Sequence, residues 1–559
     1  MNRRDALKTA ALAAAATTLS AAPPPALPQA KIDAHDKAVD DLIKRQELGP
    51  THRHRGNVPG ADGLFYGGSP AGILDTFVTA YLHPQSRHFH HPLVLERLKL
   101  AAECFARIQT PDGNWNLPIT NYNSPPDTAF IIQGMGHTLL NARQYGFPEF
   151  EALVLPAVKK AGEALIRGGM HTPNHRWVAC SALALLHRLY PDPRYLRRID
   201  QWLAETIDID ADGQYTERSS IGYNGICNRA LTICAHHLNR PELLNPVRQN
   251  LQAMFYLIHA DGEVVTEISR RQDLNQRGTM FNSWLGIAYL AWKDRDGQMA
   301  ALARGVEAQA AGVSTYLSYP QLLDPQLPPS KPLPDNYEKL FPLTGFARVR
   351  RGPMSATILR DRDRFFTFRH GDAVVTAVRF STAFFGKGQF RAKTLEKKAG
   401  SYVLTQHFEA GYYQPFSPPR LITTETYDDT REERQRTEIC QLDTVAELTE
   451  TPNGFRLRIK ATGTDEVPLA VEINLREGGS LAAAENDGAE KHPTVKDAWV
   501  LRRGYATYTK GKDKLRIGPG NSPHTYIEVR GALPKLAGTC LYLTAITPVD
   551  QVIEFERIA

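Results

Sequence analysis

The sequence predicts an α+β multidomain protein, an N-terminal toroid of antiparallel helix pairs followed by an antiparallel β-sandwich. Three observations carry this. Apolar residues recur at three and four positions through the first half, as in Leu95–Ala106, Val178–Leu189 and Ala230–Leu238. In the second half the runs are short, alternating or rich in β-branched and aromatic residues, and punctuated by glycine, proline and asparagine. Between the halves lies a proline-rich stretch, Pro320 to Pro334. At 559 residues the chain is also too long for one compact core, which stops growing at roughly 250–300 residues.

Taken in order, residues 1–30 read as an export signal with a proline-rich leader. Arg3 and Arg4 precede an alanine-rich run from Ala10 to Ala22, and Pro23-Pro24-Pro25 follows. That run is too short to span a bilayer, and no later segment reads as transmembrane. The arginine pair in Asn2-Arg3-Arg4-Asp5-Ala6-Leu7-Lys8 is similar to the twin-arginine signal, although Asp5 and Ala6 depart from it and leave an ordinary secretory route open. A periplasmic or secreted protein with no stable membrane insertion is expected. Residues 31–319 are assigned to the toroid, 320–336 to a linker and 337–559 to the sandwich. Strands are expected around Phe365–Arg369, Val374–Phe380, Phe455–Lys460 and Leu469–Leu475.

The net charge of +6 favours polyanionic partners, though it is small for this length, and a neutral-substrate enzyme with a basic surface stays open. The export signal and the lack of a strong basic cluster argue against nucleic acid. The six cysteines, Cys104, Cys180, Cys227, Cys234, Cys440 and Cys540, show no CxxC spacing, which excludes a zinc knot of that type. The first four sit in apolar helical sequence and read as buried free thiols.

The helical half carries a weak repeat. Similar turns occur at Asp112-Gly113-Asn114-Trp115, Gly168-Gly169-Met170-His171, Asp212-Gly213-Gln214-Tyr215 and Asp261-Gly262-Glu263-Val264. Their glycines lie about 45 to 55 residues apart, room for one helix pair each. Hairpins repeated in this way stack side by side and curl, so that equivalent turns emerge at one rim. Polar residues follow each turn: Asn121-Tyr122-Asn123, Asn174-His175, Glu217 with Tyr223, and Arg270-Arg271-Gln272-Asp273. Four such clusters on one rim make a cleft.

An amide, an imidazole and a phenol suit proton removal beside a carboxylate and protonation of a leaving oxygen. The ring proton next to the carboxylate of a uronic acid is barely acidic, so the developing negative charge must be stabilised. Asn174, His175 and the arginines are candidates for that, and the helix start carrying Asn174 favours an anion. A base must take the proton and an acid must return one. Tyrosine, with a free pKa of roughly 10, is already protonated as an acid and needs nearby cations to act as base. Arg270 and Arg271 could clamp a carboxylate. Trp115 and Tyr122 could stack on sugar faces, with Asn123 beside them, and Glu217 reads as orienting a neighbour. Each has a bland alternative: a helix cap for Asn174, core or turn aromatics for Trp115, Tyr122 and Tyr223, and solvated surface for the arginines. In the second half, Arg369-His370-Gly371-Asp372 closes an expected strand. His370, Asp372 and His407 are an alternative set for a structural metal, without diagnostic spacing.

The Asn174-His175 pair, the stretch from Asp212-Gly213 through Glu217 and Ser219 to Tyr223, and less firmly His370-Gly371-Asp372 resemble the heparinase II/III-like and alginate lyase-like polysaccharide lyases. The resemblance covers both halves and implies an incomplete (α/α) toroid followed by a β-sandwich. It implies that Asn174 neutralises a uronate carboxylate, that His175 is a base or charge stabiliser, that Tyr223 is the acid and also a candidate base, and that His370 is the sandwich's contribution. No cofactor is required by that chemistry. The chain departs from the family in having Asn224 after the tyrosine, where a histidine is frequent, and in having His370 without a longer histidine-rich motif. The implied activity is β-elimination on a uronic-acid-containing glycan. Two other readings stay open: a glycoside hydrolase using Glu217 with Asp127 or Asp212, since hydrolysis ordinarily needs two carboxylates, and a non-catalytic protein that binds acidic glycans.

Overall fold

The computed structural model describes residues 23–483 and 488–558. The arginine pair and the alanine-rich run of the expected export signal lie outside the described residues. The chain forms two compact units, one of residues 23–252 with 279–333 and one of residues 253–278 with 334–558.

Among its described residues the first unit holds α1 (Gln29–Arg45), α2 (Ser69–Leu82), α3 (Pro92–Arg107), the two-stranded ribbon β1 (Trp115–Leu117) and β2 (Asn121–Ser124), α4 (Pro125–Gln144), α5 (Glu149–Arg167), α6 (Pro173–Leu189), α7 (Pro193–Leu203), α8 (Tyr223–His237), α9 (Leu244–Met254, whose last turn crosses the unit boundary), α10 (Trp284–Lys293), α11 (Gly297–Ala310) and α12 (Val313–Ser318). The even-numbered helices from α2 to α10 form an inner row, each packed on the next, and α3, α5, α7 and α11 lie outside it. Sequence explains the division. In α10 every residue from Trp284 to Ala291 is buried, and α6 buries residues on all sides, as a helix enclosed by neighbours must. The outer α7 buries only Tyr195 and Ile199 and turns its arginines to solvent. The last helix, α12, returns to pack on α1, α2 and α4, so the row closes on itself as an α/α toroid. Cys104, Cys180, Cys227 and Cys234 are buried free thiols inside this unit.

Three of the four repeated turns share one geometry. Gly113, Gly213 and Gly262 all have positive φ, at 96°, 80° and 86°. In each, the glycine amide donates to the carbonyl three residues earlier (Thr110, Asp210, His259), whose own amide donates to the residue after the glycine. Gly113 has a second constraint, because a Cβ there would stand 2.4 Å from the Lys160 carbonyl oxygen. The fourth turn differs: Gly168 caps α5 in extended geometry at φ −67°. The stretch Pro320–Leu333 is not a free linker. Leu322 is buried, the Lys331 amide donates 2.8 Å to the Gly297 carbonyl, and Arg304 donates 3.0 Å to the Pro328 carbonyl.

The second unit contains β3 (Asn336–Phe341), β4 (Phe346–Arg351), β5 (Met354–Leu359), β6 (Phe366–His370), β7 (Ala373–Thr382), β8 (Thr394–Lys398), β9 (Ser401–Tyr413), β10 (Arg436–Thr451), β11 (Gly454–Gly463), β12 (Pro468–Leu475), β13 (Ser480–Ala483), β14 (Ala489–Lys491), β15 (Ala498–Leu501), β16 (Arg503–Lys510), β17 (Asp513–Asn521), β18 (Cys540–Ile546) and β19 (Val549–Ile558). One sheet runs β13-β16-β17-β19-β11-β10-β9-β8, the other β14-β15-β18-β12-β7-β6-β5-β4-β3. The recorded pairs are antiparallel except β15 with β18. Inward residues alternate, with Phe455, Leu457 and Ile459 on one sheet and Leu469, Val471 and Ile473 on the other in one apolar core.

The expectation of one helical segment from 31 to 319 needs correction, because residues 253–278 belong to the sheet unit. The reason is a set of hydrogen-bonded arginines and polar side chains. The fully buried Arg348 donates to the Tyr256 carbonyl at 3.1 Å and to Thr357 Oγ1 at 2.7 Å. Arg350 reaches the Ile258 carbonyl at 3.1 Å, and His259 bonds Ser355 at 2.9 Å. Arg369 pairs with both Asp261 and Glu263, and Arg476 pairs with Glu263 at 2.7 Å.

Candidate functional site

The starts of α4, α6 and α8 hold the polar residues of the first unit. Asn174 is the second residue of α6, held there by Pro173 at the first helical position, and its side chain is fully buried. Its Nδ2 donates to Glu217 Oε2 at 2.7 Å and to Thr172 Oγ1 at 3.2 Å. The amide orientation follows from chemistry: a carboxylate only accepts, so the nitrogen must face Glu217. Among the described residues Asn174 Oδ1 has no hydrogen-bond partner. His175, half-buried, stands edge-on to His171 at 4.8 Å and to Phe130 of α4 at 5.9 Å between ring centroids. Tyr223 is the first residue of α8, half-buried, and its backbone amide donates to Ser219 Oγ at 2.9 Å. Between Glu217 and Tyr223, Arg218 adopts φ +51°, a left-handed conformation that costs a non-glycine residue about 1–3 kcal/mol.

The loop carrying Glu217 and Tyr223 is fixed from below by a buried polar circuit. Tyr215 donates to Asn228 Oδ1 at 3.0 Å, Asn228 donates to Asn250 Oδ1 at 2.8 Å, and Asn250 donates back to the Gly213 carbonyl at 2.8 Å. Burial pushes the Tyr215 hydroxyl pKa well up, so it stays a donor. Arg176, the residue after His175, pairs with Asp208 at 2.9 Å and Glu205 at 3.0 Å, and Trp177 donates to Asp208 at 3.0 Å.

The structure thus joins Asn174 to Glu217. It places other expected site residues elsewhere. Trp115 is fully buried, stacked on Phe105 and donating 3.0 Å to its carbonyl, so it is a core residue and not a sugar platform. Asn123 is a staple of the first turn, accepting from Thr110 at 2.7 Å and donating to Asp112 at 2.7 Å. Glu217 is buried and its carboxylate accepts from the Asn174 amide. Tyr122 is exposed on β2, its hydroxyl bonded to the Pro118 carbonyl at 2.9 Å. Arg270 and Arg271 fall in the second unit, on the segment that the sequence assigned to the toroid. His370 ends β6 in the second unit, where Asp513 closes the turn by accepting from the Asp372 amide at 2.9 Å. Burial lowers the His370 pKa, opposed by Asp513. His407 pairs instead with Asp443 at 2.8 Å, and no group of three His, Cys, Asp or Glu suited to a metal is found among the described residues. For the hydrolytic alternative, Asp127 is occupied at the start of α4, bonded by Asn121 at 2.9 Å and by Ser124.

The sequence reading missed the open cavity lined by α2, α4, α8, α10 and α12, about 620 Å³ in volume, which shares Phe130 with the surroundings of His175. Its signal was Arg229, the one residue among lysine, arginine, aspartate and glutamate in the helix from Tyr223 to His237.

No family model and no curated protein matches the sequence. Solved structures share its fold. The Streptomyces coelicolor A3 chondroitin AC lyase in complex with chondroitin sulphate superposes with a TM-score of 0.57 at 15% identity, over 96% of this chain and 80% of that one. Heparinase III gives 0.53 at 12% identity, over 98% and 88%. A Paenibacillus xanthan lyase gives 0.53 at 11% identity, over 95% and 57%. At these identities the likeness is one of fold: an α/α toroid followed by an antiparallel β-sandwich.

Proposed function

We propose that the protein is a polysaccharide lyase that cleaves a uronic-acid-containing glycan by β-elimination. The observation that carries this is the buried Asn174–Glu217 pair at the start of α6, with His175 beside it and Tyr223 six residues beyond Glu217 at the head of α8. The fold shared with proteins whose names are chondroitin AC lyase, heparinase III and xanthan lyase supports the same reading.

In this mechanism the C5–H bond of the uronate breaks and its proton passes to His175 or to Tyr223. The electron pair becomes the C4–C5 double bond, the C4–O bond breaks, and the departing oxygen takes a proton from the Tyr223 hydroxyl. The carboxylate must lose part of its charge first. Both amide hydrogens of Asn174 are engaged, and the Thr172 bond is the longer one, so a substrate carboxylate takes the Thr172 position while Glu217 keeps the side chain aimed. Glu217 is a positioning residue in this scheme. The hydrolytic reading loses ground because Glu217 and Asp127 are both committed to hydrogen bonds within the protein.

The protein is further proposed to work in the periplasm or outside the cell, exported by the twin-arginine route, on the strength of its N-terminal sequence. No helix of the described residues is long and apolar enough to cross a membrane. The test is ultraviolet absorbance of the protein with a panel of acidic polysaccharides, Tyr223→Phe in parallel. Absorbance from an unsaturated uronate, absent in the variant, is expected. New reducing ends without that absorbance would overturn elimination.

A further inference from the structure

The toroid's cavity holds a guanidinium that makes no ion pair among the described residues. Arg229 lies on α8 about 9 Å along the helix axis from Tyr223, at a rise of about 1.5 Å per residue. It is half-buried and lines the cavity. Burial lowers its pKa. Among the described residues it makes no ion pair, and its Nε has no hydrogen-bond partner. The carboxylate of the same cavity, Asp75, is engaged elsewhere: it accepts from Ser314 at 2.7 Å and Thr138 at 2.8 Å. His137, also in the wall, is held neutral, its pKa pushed down to about 4 by burial, with Arg229 adding to the fall. An isolated buried guanidinium is costly, and buried charges are ordinarily paired. A bound anion would supply the missing pair.

The walls say what kind of anion. Phe130, Phe281 and Trp284 are aromatic lining residues, and Trp284 Nε1 is a second buried donor without a partner among the described residues. Gln133 and Asp75 offer polar edges. The volume falls within the range of about 300–1,000 Å³ usual for small-ligand pockets. Phe130 lines the cavity and also meets His175, while Asn282 lines it and donates 3.0 Å to the Ile221 carbonyl, two residues before Tyr223. The cavity therefore adjoins the candidate catalytic residues within one unit.

We propose that this cavity is a binding site for a single acidic sugar residue, with Arg229 as the counter-charge of its carboxylate. The class of ligand rests on the lyase reading; the anion requirement does not. The experiment is calorimetric titration of the full chain with sodium glucuronate and, separately, with glucose, using wild type, Tyr223→Phe, Arg229→Gln and Arg229→Lys. Glucuronate should bind wild type and Tyr223→Phe alike, bind Arg229→Gln at least tenfold more weakly, and recover in part with Arg229→Lys, and glucose should not bind. Without ligand, Arg229→Gln should melt no lower than wild type, because it removes an unpaired buried charge. Equal binding by Arg229→Gln, equal binding of glucose, no binding by wild type, or a large fall in melting temperature of ligand-free Arg229→Gln would each overturn the site. Its failure is separable from that of the lyase reading. Glucuronate binding without unsaturated products sinks only the lyase, and unsaturated products without glucuronate binding sink only the site.

Discussion

Asn174 and Glu217 show how one hydrogen bond assigns roles that residue types alone leave open. Because Glu217 accepts from the Asn174 amide at 2.7 Å, the carboxylate fixes which way the amide faces. Asn174→Ala should lower kcat about 100-fold to 1,000-fold, the cost of one lost charge-stabilising donor. Glu217→Gln still offers an acceptor and should retain much of the rate, while Glu217→Ala should approach Asn174→Ala, with KM changed little in each. A Glu217→Gln variant as inactive as Tyr223→Phe would assign Glu217 a direct chemical part. The amide, imidazole and phenol of this region were legible in the sequence because helix starts and glycine turns bracket them. Trp115 was not, since an aromatic after a turn reads the same whether it faces solvent or stacks on Phe105 across the core. Asn123 was misread for a similar reason, as its partners Thr110 and Asp112 meet it only once the turn has closed.

At the scale of elements, the recurring turns were visible as Asp-Gly pairs, and their left-handed glycines account for the residue choice. What holds the Gly213 turn was not visible, because Asn228 and Asn250 lie on two helices and serve it from beneath. Asn250→Leu should leave the Gly213 carbonyl and the Asn228 amide unpaired and cost about 1–3 kcal/mol per orphaned group, measured by denaturant unfolding. A loss below measurement error would mean the circuit is dispensable. The segment 253–278 escaped the helical reading because its attachment depends on arginines far away in sequence. Burial pushes the Glu263 pKa up, but Arg369 and Arg476 outweigh it and hold the carboxyl at about 2. Glu263→Gln should destabilise the sheet unit by about 3 kcal/mol at neutral pH, because it removes the carboxylate that Arg476 pairs with and leaves Arg369 with Asp261 alone. A depressed carboxylate contributes fully above its unfolded pKa of roughly 4.3 and loses that contribution as pH falls toward about 2. The difference between wild type and Glu263→Gln should therefore shrink through that window. A difference that stays constant down to the acid end would remove the ion pairs as its cause.

At the scale of the whole molecule, the two-part architecture was legible from the switch in period, whereas the interleaving of the units was not, since chain order does not record which core a segment joins. The units also differ in how they bury histidine. In the helical unit burial lowers His35, His83 and His236, holds His137 at about 4 and drives His237 to about 2. In the sheet unit burial lowers His259 and His370. A histidine whose folded pKa lies below the unfolded value of roughly 6.5 binds its proton first in the unfolded chain, so stability is whole above that pH and falls below it. For His137 the loss is complete near its folded value of about 4, and for His237 it continues toward about 2. Asp75 acts in the opposite sense, since burial raises its pKa, but it is one group against several. Glu263, held at about 2, keeps its contribution whole down to its unfolded value of roughly 4.3 and loses it only below that. Calorimetric scans at stepped pH from 7 to 4.5, with helical circular dichroism followed in parallel, should show the helical unit's transition falling faster than that of the sheet unit. His137→Gln should flatten the fall of the helical transition alone, because glutamine keeps a polar group in place and takes up no proton. Parallel decline of both transitions, or no effect of His137→Gln on the slope, would show that the histidines buried in the toroid do not set its acid limit.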